Sequence, residues 1–346
     1  MGQDNNRAIE FPDIPGYFTL ICDLHMHTVL SDGAVWPDIR IQEAIRDGLD
    51  AIAITDHLEY QPKANDIPHP DRNRSYQLAK VAAKNQDLIV INGAEITRKM
   101  PPGHANAIFL QDANKLNQDD VIEVFKEAQR QGAFVFWNHP HWTSQQQNGV
   151  ATLTEMHLEL LAEGLINGVE VFNESTYSDE ALEIAHAYNL TILGNSDIHG
   201  LIDWQFEVPE GGHRPVTLVF AEEKSESSLK KALEMHKSAV WFDNTLVGDA
   251  EFLIPLVESS LKVSRQGISK VQTLWIENSS DADYILENLS GFTLHNQASV
   301  FTVNTHESTK IEVKTLENLP AFSLRFRVLN AITSPGVHPE ISIFVE

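Results

Sequence analysis

Five short stretches of this chain place histidine and carboxylate side chains where an apolar run ends: Asp23-Leu-His25-Met-His27, Thr55-Asp56-His57, Gly93-Ala-Glu95, Asn138-His139-Pro-His141 and Asn195-Ser-Asp197-Ile-His199. Ten of the fifteen histidines fall within the first 200 residues, most of them in these stretches. In an extended strand residues i and i+2 share a face, so His25 and His27 aim together, and Asp197 and His199 repeat that spacing. Imidazole and carboxylate on one face suit a borderline divalent ion such as manganese, iron or zinc. An isolated His-x-His carries little weight. Here Asp23, Asp32, Asp56 and the later clusters turn the reading toward a centre with several ions.

Glu95 follows the run Ile89–Ala94 and can bridge two ions, because each of its oxygens can bind one. His57 ends its run beside Asp56, which can ligate or can orient a ligand from behind. His104 follows Pro101-Pro102-Gly103 and opens another apolar run, and His139 ends the very apolar Ala133–Trp137. His141, two residues further across a proline, reads equally as ligand, proton donor or phosphate contact. Arg98 and Lys99 stand just past Glu95 as candidate phosphate contacts. His69, His157, His186, His213 and His236 fall in loops or helix-like segments and read as surface or packing residues.

The elements that must hold these side chains follow from periodicity. Apolar runs predict strands at Phe18–Leu24, Ala51–Thr55, Leu88–Asn92, Ala105–Leu110, Ala133–Trp137, Gly168–Phe172, Thr191–Leu193 and Pro215–Phe220. Helices are predicted over Trp36–Asp47, Asn73–Asn85, Gln118–Gln131, Leu153–Glu163, Asp179–Tyr188 and Ser225–His236; Val121, Ile122, Phe125 and Ala128 give the third its apolar face. Short strands alternating with helices argue for βα units closing into a barrel, whose sites form at the C-terminal strand ends. All five ligand stretches fall there. Beyond about residue 263, alternating runs such as Val271–Ile276, Val300–Val303, Ser323–Leu329 and Ile341–Val345 are separated by Asn, Ser, Asp, Gly and Pro. They predict an all-β sandwich with no ligand cluster, its histidines (His295, His306, His338) being scattered singles. The expected organisation is an N-terminal extension over 1–17, an α/β barrel over 18–250 and a β-sandwich over 263–346.

Composition narrows the partners. A formal charge of −24 with no basic patch argues against long nucleic acid, although bound divalent ions would invert the field locally and admit a small phosphorylated substrate. No apolar run reaches the length of a membrane span, and residues 1–6 lack a signal-peptide core. Cys22 is the single cysteine, inside an apolar run, and is expected to be a buried, inert thiol. Oligomeric state and compartment are not readable from these features.

The set Asp-x-His-x-His-Thr, Ser31-Asp32-Gly33, Thr-Asp-His, Gly-x-Glu, His-Pro and Ser-Asp-x-His resembles the polymerase and histidinol phosphatase (PHP) superfamily over roughly residues 18 to 245. Pro101-Pro102-Gly103-His104-Ala105-Asn106 and Asn138-His139-Pro140-His141-Trp142, with a trailing β domain, further resemble the Sb-PDE-type bacterial phosphodiesterases. The resemblance implies a distorted (β/α)7 TIM-like barrel holding two or three divalent ions. It implies a first ion among His25, His27, Glu95 and Asp197, a second held by His104 and His139 with Glu95 bridging, and a third held by Asp32, His57 and His199. Asp32 departs from members that carry histidine near that position. The narrower resemblance also implies an extracytoplasmic home.

The function expected from this is hydrolysis of small phosphodiesters, before monoesters, by a metal-bridging hydroxide attacking phosphorus. His141, Arg98 or His199 would contact the phosphate or protonate the leaving group. Two other readings stand beside it. A metal-dependent amidohydrolase also uses His-x-His in such a barrel but usually has a bridging lysine where this chain has Glu95. A non-catalytic metal-binding module should have lost ligands, whereas each expected position here holds a competent side chain.

Overall fold

The computed structural model describes residues 7–346; the first six positions of the expected N-terminal extension lie outside the described residues. The chain divides into two compact units, one comprising Leu20–Asp243 and the other Ile9–Thr19 with Asn244–Glu346.

The first unit runs β1 (Phe18–Asp23), α1 (Pro37–Arg46), β2 (Ala51–Ile54), α2 (Arg74–Ala82), β3 (Ile89–Thr97), β4 (His104–Ile108), α3 (Val121–Arg130), β5 (Phe134–Trp137), α4 (Glu155–Ala162), β6 (Gly168–Asn173), β7 (Thr176–Tyr177), α5 (Asp179–Tyr188), β8 (Thr191–Asn195), α6 (Ile202–Gln205), β9 (Val216–Ala221), α7 (Glu226–Glu234) and β10 (Ser238–Phe242). Strands β2, β5, β6, β8 and β9 are buried along their whole length, as expected of sheet strands covered on both faces. The helices begin with ordinary caps: Asp120 accepts from Ile122 N–H, Ser178 from Ala181 N–H and Ser225 from Ser228 N–H.

Within this unit the strand order is β10-β9-β1-β2-β3-β4-β5-β6-β7, with β8 pairing β6. Pairs β1–β2, β2–β3, β5–β6 and β6–β8 are parallel. The sheet curls until the ends of β1 and β8 meet: Asp197 N–H donates to His25 O (2.9 Å) and His27 N–H to Ile198 O (3.0 Å). The distorted (β/α)7 barrel implied by the resemblance is met in a coarser form, a curled mixed sheet with covering helices. Strand β4 breaks the repeat, since it runs antiparallel to both β3 and β5. It is a hairpin return of β3, with Thr97 opposite His104, and no helix separates the two. The reversal carries function: the start of β4 lies at the same edge as the C-terminal ends of its neighbours, which is why His104 opens its strand yet reaches the same place.

Leu20, Cys22, Leu24, Ala53, Ile91, Phe134, Phe136, Leu193 and Val219 form one buried cluster. Cys22 is buried and free, and burial pushes its thiol up, in keeping with an inert side chain.

The second unit continues with β11 (Thr245–Gly248), α8 (Ala250–Ser260), β12 (Leu261–Gln266), β13 (Val271–Asn278), β14 (Tyr284–Asn288), β15 (Thr293–Leu294), β16 (Val300–Val303), β17 (Ser308–Lys314), β18 (Phe322–Val328), β19 (Ala331–Ile332) and β20 (Glu340–Val345). It contains two four-stranded sheets, β12-β13-β17-β15 and β16-β14-β18-β20. Burial alternates residue by residue along β13, β18 and β20, the signature of sheets with one face inward. Among the described residues no helix is long and apolar enough to cross a membrane.

Candidate metal centre

The ends of β1, β2, β3, β5 and β8 and the start of β4 bring eight of the nine expected ligand residues to one place, and a loop adds the ninth, Asp32. His25 Nε2 and His27 Nε2 stand 3.2 Å apart, and Asp197 Oδ1 lies 3.1 Å from the first and 2.9 Å from the second. Glu95 sits centrally. Its Oε1 is 3.0 Å from His104 Nδ1, 3.4 Å from His139 Nε2 and 3.6 Å from His25 Nε2; its Oε2 is 2.5 Å from His57 Nδ1 and 3.6 Å from His27 Nε2. Asp32 Oδ2 is 3.3 Å from both His57 Nε2 and His199 Nε2.

These spacings test whether the residues fit ions. Ligand bonds of about 2.1 Å put adjacent donor atoms about 3.0–3.4 Å apart in octahedral or tetrahedral geometry. Most of the distances above fall in or near that range. Glu95 Oε2 and Asp197 Oδ1 are buried and accept no hydrogen bond of normal geometry, although imidazole nitrogens crowd around them. Three groups have ligand atoms close enough to share an ion: His27, Asp32, His57 and His199; His25, His27 and Glu95; His57, Glu95 and His104.

The charges agree. Burial would raise the carboxyls of Glu95 and Asp197, but the facing imidazoles outweigh it and hold both well below the usual carboxylate range. Burial likewise opposes a charge on His25, yet Asp197, Glu170 and Glu95 raise it to about 10; Glu95 and Asp32 overcome burial to raise His57 to about 11. His27, lowered to about 4 by burial and by His57, stays neutral. Without ions the carboxylates thus hold protons on the imidazoles, where divalent cations would take over the charge.

Local structure explains how the residues are aimed. His139 (φ 28°) and Asp197 (φ 49°) both adopt left-handed backbone at their strand ends, a strain that clusters at functional sites. The Asp32 loop folds back across the segments that follow β1 and β8: Ala34 N–H donates to His199 O (2.6 Å), and a Cβ on Gly33 would lie 2.7 Å from the His27–Thr28 backbone, so only glycine fits. Asp56 turns away from the cluster, accepting from Thr28 N–H (2.6 Å), Thr28 Oγ1 (2.7 Å) and Ser31 Oγ (2.7 Å). It braces the loop that carries Asp32, which resolves the choice left open for it. Asp23 likewise faces Ser196 and the buried Arg214.

Three residues that sequence reasoning did not place at the site support the ligands. Glu170, buried on β6, accepts from His25 Nδ1 (2.9 Å) and Asn195 Nδ2 (3.0 Å) on one oxygen and from His139 N–H (2.8 Å) and Asn173 Nδ2 (2.9 Å) on the other. It fixes the His25 tautomer so that the Nε2 lone pair faces the cluster. Arg40, fully buried, donates to His27 O (2.9 Å) and Ile198 O (3.1 Å), clamping the β1–β8 closure. His157 is fully buried and donates through Nε2 to Pro102 O (2.7 Å), anchoring the turn before His104. A lone carboxylate inside the apolar strand Gly168–Asn173 was the available signal for Glu170; for Arg40 and His157 helical periodicity offered none.

A cavity of about 830 Å³ opens over the cluster. Arg98 and Lys99 line it, but Arg98 pairs with Glu59 (2.8 Å) and donates to Asp119 O (3.2 Å) and Gln118 O, while Lys99 is exposed. His141 is not among the lining residues; its Nε2 pairs with Thr176 Oγ1 (2.7 Å). His199, 37% exposed at its side chain, stands at the rim.

Fold and cluster together define a strand-end site with several groups of potential metal ligands. Residues 23–197 match the PHP domain family and residues 257–344 an Ig-like domain family. The chain is 39% identical to a two-domain protein containing a predicted PHP-like metal-dependent phosphoesterase from Bacteroides vulgatus ATCC 8482, with 99% of this chain and 100% of that chain covered and a TM-score of 0.92. The chain belongs to the PHP family. Looser likenesses are to PsfC from Pseudomonas syringae PB-5123 (16% identity, 65% and 91% coverage, TM-score 0.44) and to a putative metal-dependent phosphoesterase from Bifidobacterium adolescentis ATCC 15703 (16%, 52% and 88%, 0.40). No curated protein matches the chain.

Proposed function

We propose that this chain is a metal-dependent phosphoesterase that hydrolyses small phosphodiesters in preference to monoesters. The observation that carries the reading is the Glu95-centred cluster, with imidazoles at both carboxylate oxygens and a large cavity above it. His25, His27, Glu95 and Asp197 would hold one ion, Glu95, His104 and His139 a second, and Asp32, His57 and His199 a third. Ions so held, manganese, zinc or iron, would supply an activated water nucleophile and neutralise the phosphoryl oxygens.

The chain's own residues do the rest. Glu170 keeps the proton on His25 Nδ1, and the Asp56-braced loop holds Asp32 against His57 and His199. Lys99 offers an exposed cation toward the substrate, and His199 at the rim is the candidate proton donor to the departing alkoxide if its ligand role is not taken up. The preference for diesters rests on room: at about 830 Å³ the cavity holds a second ester substituent beside the phosphoryl group. Asp32, Glu59, Glu95, Glu174 and Asp197 line the cavity against Arg98 and Lys99, and Arg98 is already paired with Glu59. The narrower likeness to Sb-PDE-type enzymes belongs to this proposal.

The test is turnover of bis(p-nitrophenyl) phosphate beside p-nitrophenyl phosphate on protein reconstituted with manganese or zinc. The diester is expected to be the better substrate. Metal-dependent turnover of the monoester alone would overturn the preference, and hydrolysis of neither would overturn the reading.

A further inference from the structure

The cavity above the cluster is far larger than a phosphate group needs; at about 830 Å³ it has the size of sites that enclose a drug-sized organic molecule. Two large aromatic side chains line it and stay about half exposed, Tyr60 at 52% and Trp142 at 44%. Both touch the cluster. The Tyr60 ring meets His57 edge-on with centroids 5.6 Å apart, and Trp142 lies 5.1 Å from His139 and 5.6 Å from His104. A phosphorus centre held over His57, His104 and His139 therefore carries its ester substituent directly past these two rings.

The Trp142 side of this wall is built rather than loose. Trp142 N–H donates to His139 O (2.9 Å), and Trp142 O accepts from Gln145 N–H (3.0 Å) and Gln146 N–H (2.8 Å). Gln145 in turn donates through Nε2 to Arg98 O (3.1 Å), tying the loop to the end of β3. An indole held this way presents its surface at low ordering cost. Stacking of a flat ring on an aromatic side chain is worth about 1–3 kcal/mol, or about 5-fold to 150-fold in affinity.

Resting on the phosphoesterase reading above, we infer that Trp142, with Tyr60 beside it, is a specificity determinant that selects phosphoesters bearing a flat unsaturated ring next to the phosphorus. The experiment keeps the metal-binding head constant and varies the substituent. Methylphosphonate, cyclohexylphosphonate and phenylphosphonate are titrated calorimetrically into the manganese-loaded full chain. Phenylphosphonate is expected to bind at least 10-fold tighter than methylphosphonate and several-fold tighter than cyclohexylphosphonate, which has similar bulk but no flat face. Trp142→Leu should collapse the phenyl-to-cyclohexyl ratio to near one, and Trp142→Phe should keep most of it. Equal binding of the phenyl and cyclohexyl compounds, or an unchanged ratio in Trp142→Leu, would overturn the stacking role while leaving the phosphoesterase reading standing. Failure of all three phosphonates to bind would overturn both.

Discussion

Replacing Glu170 with glutamine should weaken metal binding without touching a ligand. Each Glu170 oxygen accepts from two donors: His25 Nδ1 and Asn195 Nδ2 on one side, His139 N–H and Asn173 Nδ2 on the other. A glutamine must turn its NH₂ toward one of these pairs. Toward His25 it forces the ring into the tautomer whose Nε2–H points at the cluster, removing that lone pair from an ion. It also meets Asn195, which cannot flip because its Oδ1 already accepts from Leu24 N–H (2.9 Å). Toward the other side it meets the His139 backbone N–H, which cannot turn away. Either way about two charge-assisted hydrogen bonds are lost, a cost of about 3 kcal/mol at roughly 1.5 kcal/mol each. Loss of such an orienting partner typically weakens metal affinity by about 10-fold to 100-fold. The assay is manganese or zinc titration with a competing chelator, together with turnover at rising metal concentration. Activity should be low at limiting metal and recover in excess. An affinity within about twofold of wild type would refute the orienting role.

Three further outcomes follow from the same geometry. Glu95→Gln should abolish turnover while leaving the circular-dichroism spectrum unchanged, since the carboxylate meets imidazoles and the Asn138 side-chain amide and no backbone group; wild-type-like turnover would contradict the bridging assignment. Metal loading should release at least two protons at pH 7.5, because His25 and His57 are raised to about 10 and 11 and must become neutral to ligate, and His139 and His199 are shifted upward too. Apparent affinity should therefore rise with pH across the neutral range, and calorimetry in buffers of different ionisation heat would show no proton release if the account is wrong. His157 is lowered to about 4 by burial, against which its bond to Pro102 O works, so its neutral form stabilises the fold. That stability is complete above pH 6.5 and is lost as pH falls toward 4, amounting to about 3 kcal/mol. Denaturant unfolding should show wild type losing that much more than His157→Gln between pH 7 and pH 4; equal losses would sink the assignment.

Much of the site was legible in the sequence because its strands are buried on both faces and so read as short apolar runs, with each ligand marking where a run stops. His25, His27, His57, Glu95, His139 and Asp197 all announce themselves this way. Asp32 is less obvious, lying on a loop, but Gly33 beside it is required by the close approach to the His27–Thr28 backbone. What stayed hidden depends on tertiary structure. The reversal of β4 leaves no mark in composition, since antiparallel and parallel buried strands carry similar residues. Glu170 and Arg40 are charged residues within an ordinary strand and an amphipathic helix, and their burial becomes visible only once the sheet closes. Arg98 and His141 were singled out by proximity in sequence to ligands; in the fold Arg98 lines the cavity while paired with Glu59, and His141 pairs with Thr176.

The most direct test of the metal centre is anomalous diffraction at the manganese edge from crystals grown with manganese. At least two peaks are expected on either side of Glu95, one also ligated by His25, His27 and Asp197 and one by His104 and His139. Peaks elsewhere, or none at Glu95 under saturating metal, would contradict the account.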